Sequence, residues 1–440
     1  MELLSATVLR TGKDISFWKN PVAWLREKNL GSGYWTFFAA AFFYDAGFAV
    51  YFFLFNLYLV DRGFSDRAIG LIGGAFTLGS LTGTLPAGAL ARRAGLRSLL
   101  LALFVFAPLL NVLRVLWMGE SAQIVLAFTA GIAMSAWGVC FLPAVARLTQ
   151  EKSRPSAFSF IFSASVGTSM LGGVICGYLR RWLEIAGIAI SAAQAKQWIL
   201  LTACAIVPLG LLAVGRLRFS ADADVEAESE RTRATGWRLS PFLLRYLPLM
   251  ALWNMVLAAF TPFANIYLSR NLQVPMEQVG LIFSSVQGIQ LCMGLLAPVV
   301  LRLLGLLNGI AAMQAAAAVI LGCMAGVSNA RLAVPLYLVF SAVQWMSSPA
   351  LYNLLMNETP DAERSMAAAM TLFSNALVGS VATAGAGILF TRFGYPVVLM
   401  GIASVAFVAT LLFLFLIGPV VRSGRSNRLK AIEIERRRER

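Results

Sequence analysis

Histidine is absent from this 440-residue chain, and charge is scarce: Asp, Glu, Lys and Arg together make up 13% of it. Without imidazole a histidine-based proton relay is excluded, and a metal site would have to be built from carboxylates alone. The five cysteines (Cys140, Cys176, Cys204, Cys292 and Cys323) fall in apolar runs without the paired spacing of a zinc or redox motif. No G-x-x-x-x-G-K-[ST] phosphate loop occurs; Gly12-Lys13 is followed by Asp14 and lacks the first glycine. Alternating strand patterns of the kind a membrane barrel needs are missing too. Residues 1–33 carry Arg10, Lys13, Lys19, Arg26 and Lys28 with no continuous apolar core, so no cleavable leader is expected.

Apolar side chains fill the space these absences leave. Hydrophobic residues reach 59% and mean hydropathy is +0.75, which is not the composition of a water-soluble domain. Apolar runs long enough for a bilayer of about 30 Å recur along the chain. Backbone groups in lipid must be satisfied within the segment, so the spanning elements are helices. Twelve spans are expected, near 34–59, 68–91, 98–118, 122–146, 156–179, 197–217, 246–268, 278–301, 308–328, 332–355, 366–390 and 395–421. The fold class is therefore an all-α polytopic membrane protein.

An even number of spans puts both termini on one side. Of the 36 Lys and Arg residues, only Arg62, Arg67, Arg114, Arg180, Arg181, Lys196, Arg270, Arg331 and Arg392 fall away from that side. The bias makes it cytoplasmic, and the net charge of +15 reflects contact with anionic lipid rather than nucleic acid. Residues 15–30 fit either a short amphipathic surface helix or a solvated tail. Residues 218–240 form a charged linker between a first half, 34–217, and a second, 241–421. Residues 422–440 form a basic cytoplasmic tail.

The halves repeat one another. Asn56-Leu57-Tyr58-Leu59 matches Asn265-Ile266-Tyr267-Leu268, and after a one-residue shift Gly70-Leu71-Ile72 matches Gly280-Leu281-Ile282. Arg92 then falls on Arg302, Gly95 on Gly305, Arg154 on Arg364 and Gly177 on Gly387. A parallel duplication of six helices implies two bundles with a cavity between them. In these features, and in the loop Gly88-Ala-Leu-Ala-Arg92-Arg93-Ala-Gly95-Leu-Arg97, the chain resembles the major facilitator superfamily (MFS). That loop is similar to the family's G-x-L-[AG]-D-R-x-G-[RK] pattern, with Arg92 where an acid is usual. The resemblance implies twelve helices in two pseudo-symmetric six-helix bundles and a gating role for Gly88, Arg92, Arg93, Gly95 and Arg97. Two marks of drug–proton antiporters, an arginine early in the fourth span and a Gly-Pro element in the fifth, are not present.

One carboxylate, Asp45, stands in the otherwise apolar first span, about 11 residues in and so roughly 16 Å deep. Buried acids in membranes are costly and mark ion coupling or substrate contact. Its mate in the duplication is Asn254, which cannot titrate. Asp45 is expected to carry a proton, with a fixed salt bridge to Arg114 of the third span as the alternative. Tyr44, Asn56, Asn254, Asn265, Gln287, Gln290, Gln344, Asn375, Trp137 and Trp345 are candidates for substrate contact. Gln287 and Gln290 share a face, whereas Gln344 and Trp345 would do so only if their helix unwound near Pro349. Such a cavity suits a small neutral or amphipathic organic solute; an anion would be expected to recruit more than one buried arginine.

Lacking an ATPase domain, the chain reads as a secondary active transporter, proton-coupled and working by alternating access. A lipid or lysolipid translocator of the same fold and a non-transporting receptor or scaffold are the alternatives. No acid pair or nucleophile–base set suggests an enzyme. The expected partners are a small-molecule substrate and the bilayer, with the chain acting as a monomer in the cell membrane and using no cofactor or metal.

Overall fold

The structure, a computed structural model, describes residues 30–150, 153–185, 187, 191–219, 240–359 and 363–420. The segment 15–29, most of the charged linker and the basic tail lie outside them. Among the described residues every regular element is helical. The first span is Ser32–Asp61, and the second and third make up Asp66–Leu116. The fourth and fifth are Glu120–Leu148 and Arg154–Ile185. The sixth begins as Ala192–Ile206, tightens to a 3₁₀ turn at Val207–Leu209, where Pro208 lacks an N–H, and resumes as Gly210–Val214.

The seventh starts at Pro241–Phe260 and passes through a 3₁₀ turn at Thr261–Phe263 before ending in a π turn at Tyr267–Asn271. Met276–Leu304, Leu306–Ala325 and Ala330–Glu358 are the eighth to tenth, and Arg364–Leu416 holds the last two. Eight of these helical stretches are long and apolar enough to cross a bilayer, two of them containing two spans each. Met276–Leu304 and Ala330–Glu358 are as long but richer in Gln, Ser and Asn.

Single glycines make the tightest corners. Gly95, Gly305 and Gly394 have φ of +80°, +80° and +73°, a region that costs any residue with a Cβ about 1–2 kcal/mol. The gap expected between the second and third spans thus shrinks to Gly95 alone. Cys140, Cys176 and Cys204 are buried, whereas Cys292 and Cys323 are exposed on their helices.

The duplication is visible atom by atom. Tyr58 donates its hydroxyl to the Val115 carbonyl at 3.0 Å, and its mate Tyr267 donates to Met324 at 3.5 Å. These bonds hold the first span to the third and the seventh to the ninth. Two seams then join the halves, the second span on the eleventh and the fifth on the eighth. A Cβ on Gly70 would meet Gly387 Cα at 2.9 Å, and one on Gly280 would meet Gly177 Cα at 2.9 Å. Small residues bring the backbones into contact, the usual device where lipid gives no hydrophobic drive to association. Ser380 donates to the Gly74 carbonyl and Ser284 to the Met170 carbonyl, both at 2.6 Å. Arg270 pairs with Asp66 at 3.6 Å across the same face. All these contacts lie at the end opposite the linker.

Candidate functional site

Between the halves lies a cavity of about 590 Å³. Its walls include Phe52, Phe53, Phe55 and Phe76 from the first half and Phe283, Tyr337 and Phe340 from the second. Amides are set among the rings: Asn56, Asn265, Gln287, Gln290 and Gln344, with Trp345 beside them. Gln344 and Trp345 reach it from an unbroken helix that runs through Pro349. Unwinding is therefore unnecessary, because adjacent residues can both border a wide cavity.

The two asparagines close its roof reciprocally. Asn56 donates to the Pro262 carbonyl at 2.9 Å and Asn265 to the Phe53 carbonyl at 3.0 Å. Each acceptor lies three residues before the partner asparagine. The first and seventh spans are thus pinned to each other, with Phe53 and Phe283 in ring contact at 4.4 Å beside them.

Asp45 is half-buried and is not in the cavity lining. It lies one helical turn before Ala49, which is, and Ser165 hydrogen-bonds its carboxylate one turn before the lining residue Ser169. In the second half Asn254 donates to the Asn375 main-chain carbonyl at 2.6 Å. The offset that carries Asp45 onto Asn254 carries Ser165, within one residue, onto Asn375. The two contacts therefore stand at equivalent places in the two halves, a carboxylate with a side-chain hydroxyl in one and an amide with a main-chain carbonyl in the other. Asn254, Asn375 and Gln344 also border a smaller pocket of about 420 Å³.

No ion pair joins Asp45 to Arg114. The Arg114 guanidinium lies 4.3 Å from the centre of the Phe55 ring, with Tyr51 and Phe76 within 6 Å. Phe55 is ten residues beyond Asp45, about 15 Å along the helix. Arg114 Nη1 donates to Asn111 Oδ1 at 3.1 Å, its Nε has no hydrogen-bond partner, and the residue is 3% exposed.

Tyr44 and Trp137 are brought together, but in the first bundle's interior and away from the cavity lining. Their rings stack at 4.2 Å and 16°, and Trp137 stacks further on Phe37. In the loop resembling the family pattern, the tight turn belongs to Gly95, while Gly88 sits inside a helix where a Cβ would meet only the end of the Arg92 side chain, at 3.9 Å. Arg92 and Arg93 are exposed, and Arg97 Nη2 donates to the Gly215 carbonyl, tying the loop to the end of the sixth span.

Ser165, Ser169, Thr77, Ser341 and the phenylalanine walls do not stand out in the sequence. For Ser165 a cue existed, since the duplication offset applied to Asn375 points to it. Aromatic walls carry no such cue in a chain with 30 phenylalanines.

The profile of the Major Facilitator Superfamily matches residues 37–383. No curated protein matches the sequence. Among solved structures, the nucleoside transporter NupG superposes with a TM-score of 0.68 at 13% identity, covering 88% of this chain and 99% of that one. A D-xylose-proton symporter gives 0.69 at 15% identity, covering 86% and 96%. An inward-facing, unoccupied bacterial homolog of the human lysosomal transporter Spinster gives 0.65 at 13%, covering 88% and 99%. At such identities the likeness is one of fold. The profile spans well over half the chain, and with twelve helices in two repeated bundles the conclusion is plain: the chain belongs to the Major Facilitator Superfamily, a transporter rather than an enzyme.

Proposed function

We propose that this protein is a secondary active transporter of a small amphipathic organic solute, driven by protons through Asp45. The carrying observation is the cavity between the halves, ringed and amide-lined, and closed at one end by mirrored glycine seams and the Asn56–Asn265 clasp. A cavity sealed on one side and flanked by two rigid, related bundles suits alternating access, in which one bundle rocks against the other. With the linker cytoplasmic, as the Lys and Arg distribution supports, this state opens to the cytoplasm.

Asp45 suits coupling because, among the described residues, no cation pairs with it and only a neutral hydroxyl partner is at hand. A turn of helix separates it from the solute space, close enough to feel a change in hydration and far enough not to compete for solute. A potential of 100 mV is worth about 2.3 kcal/mol per charge moved, enough to bias such a cycle. The neutral Asn254–Asn375 contact keeps the second half from titrating at the same depth.

Solute counterflow in proteoliposomes is the direct test. Exchange of a labelled solute that accelerates under an imposed pH gradient is the expected result. Failure of every solute to exchange, with binding intact, would make the protein a receptor. Lipid scrambling without solute exchange would make it a lipid translocator. An apolar groove of about 800 Å³ runs between the seventh, eleventh and twelfth spans, but acyl tails of the surrounding bilayer suffice to fill it.

A further inference from the structure

We infer that the transported solute carries one negative charge, a carboxylate or phosphate-type group, and that Arg114 is its anchor. The inference rests on the transporter reading above and narrows its substrate class. Arg114 is the one charged side chain in the cavity lining among the described residues. A guanidinium cannot shed its proton at physiological pH, and burying it without a counter-charge is expensive. Its surroundings offset only part of that cost. Asn111 supplies one acceptor, Phe55, Tyr51 and Phe76 supply ring faces, and Nε faces no acceptor at all.

The carboxylate that the sequence offered as a partner, Asp45, is engaged elsewhere. The duplication offset places Cys323, or within one residue Met324, at the equivalent position in the other half, so that position supplies no anion to balance Arg114. The cavity thus presents one unanswered positive charge beside flat aromatic walls and a set of amides. A planar or aromatic monoanion satisfies all three: a bidentate group on Arg114, ring contact with the phenylalanines, and polar substituents on Gln287 or Gln290. The expectation of more than one buried arginine relaxes for a singly charged solute, because aromatic walls lower the local dielectric and strengthen one charge contact.

Matched acid and amide pairs isolate the charge. Benzoate, phenylacetate and cinnamate would be tested against benzamide, phenylacetamide and cinnamamide by thermal shift and calorimetry on the purified full-length protein. The expected result is stabilisation by one or more acids and none by the matching amides. Arg114→Gln should weaken acid binding on the order of 10- to 100-fold, and Arg114→Lys should retain part of it. The wild-type comparison stands even where a variant fails to fold.

Lysophosphatidylglycerol tested beside lysophosphatidylcholine distinguishes sources: selective competition by the former would place a lipid headgroup at the same anion site. Amides binding as well as acids, acids indifferent to Arg114→Gln, or no member of either set binding would each overturn the inference. Acid binding without counterflow would instead overturn the transport reading alone. Counterflow of neutral solutes unaffected by Arg114→Gln would leave transport standing and remove the anion site.

Discussion

Asp45 and Asn254 occupy the same place in two copies of one design, and the difference between them is a single ionisable oxygen. Asp45→Asn makes the two halves alike at that depth. The variant is expected to lose pH-gradient-driven accumulation while keeping partial solute exchange, measured as uptake against counterflow in the same liposomes; full gradient-driven uptake would reject the coupling role. Asn56→Ala removes one half of the clasp at a cost of about 1 kcal/mol, shifting the balance toward opening of that end roughly fivefold. A cysteine at Phe283 in a cysteine-free background should then label faster with an impermeant maleimide. At this scale the sequence was informative wherever chemistry was rare. A lone acid, a lone mid-span arginine and a few amides stand out against an apolar run, so Asp45, Arg114, Asn56 and Asn265 were all legible. Tyr44 and Trp137 stack on each other, and the sequence does not separate that role from lining a cavity because both use the same residue types.

Helices in this molecule are joined by what they lack. Gly70, Gly177, Gly280 and Gly387 let four backbones touch across two seams, and any side chain there must push the halves apart. Gly280→Leu is expected to hold the far end open: transport should fail, and the Phe283 cysteine reporter should label constitutively in protein that still purifies as a single species. Corner glycines make a different demand. Gly95→Ala and Gly305→Ala each force a Cβ into left-handed backbone at about 1–2 kcal/mol. Each should lower the thermal unfolding midpoint without abolishing exchange, as read by counterflow at a temperature below both midpoints. The positions of the helices followed from hydropathy alone. Gly95 stands out in the sequence through the family pattern, as part of the gating loop. The seams were not, because glycine periodicity gives close packing without naming the partner.

Across the whole molecule, the arrangement of charge and the repeat together imply a fixed sidedness. Cysteines replacing Arg93 and Glu120, exposed at opposite ends, should label from the cytoplasmic and outer sides respectively when intact cells are compared with inverted vesicles. The reverse pattern would invert the proposed direction of opening. The reciprocal clasp has one more consequence, for how such a machine can be tuned. Both of its acceptors are main-chain carbonyls, which no codon can delete. Selection for faster or slower cycling can therefore act on that latch only through the two asparagine donors. Because a donor sits on each repeat, a screen of single substitutions should recover paired hits at 56 and 265, whereas changes at 53 and 262 leave both latch acceptors in place and act through the Phe53–Phe283 ring contact and the turn at Pro262.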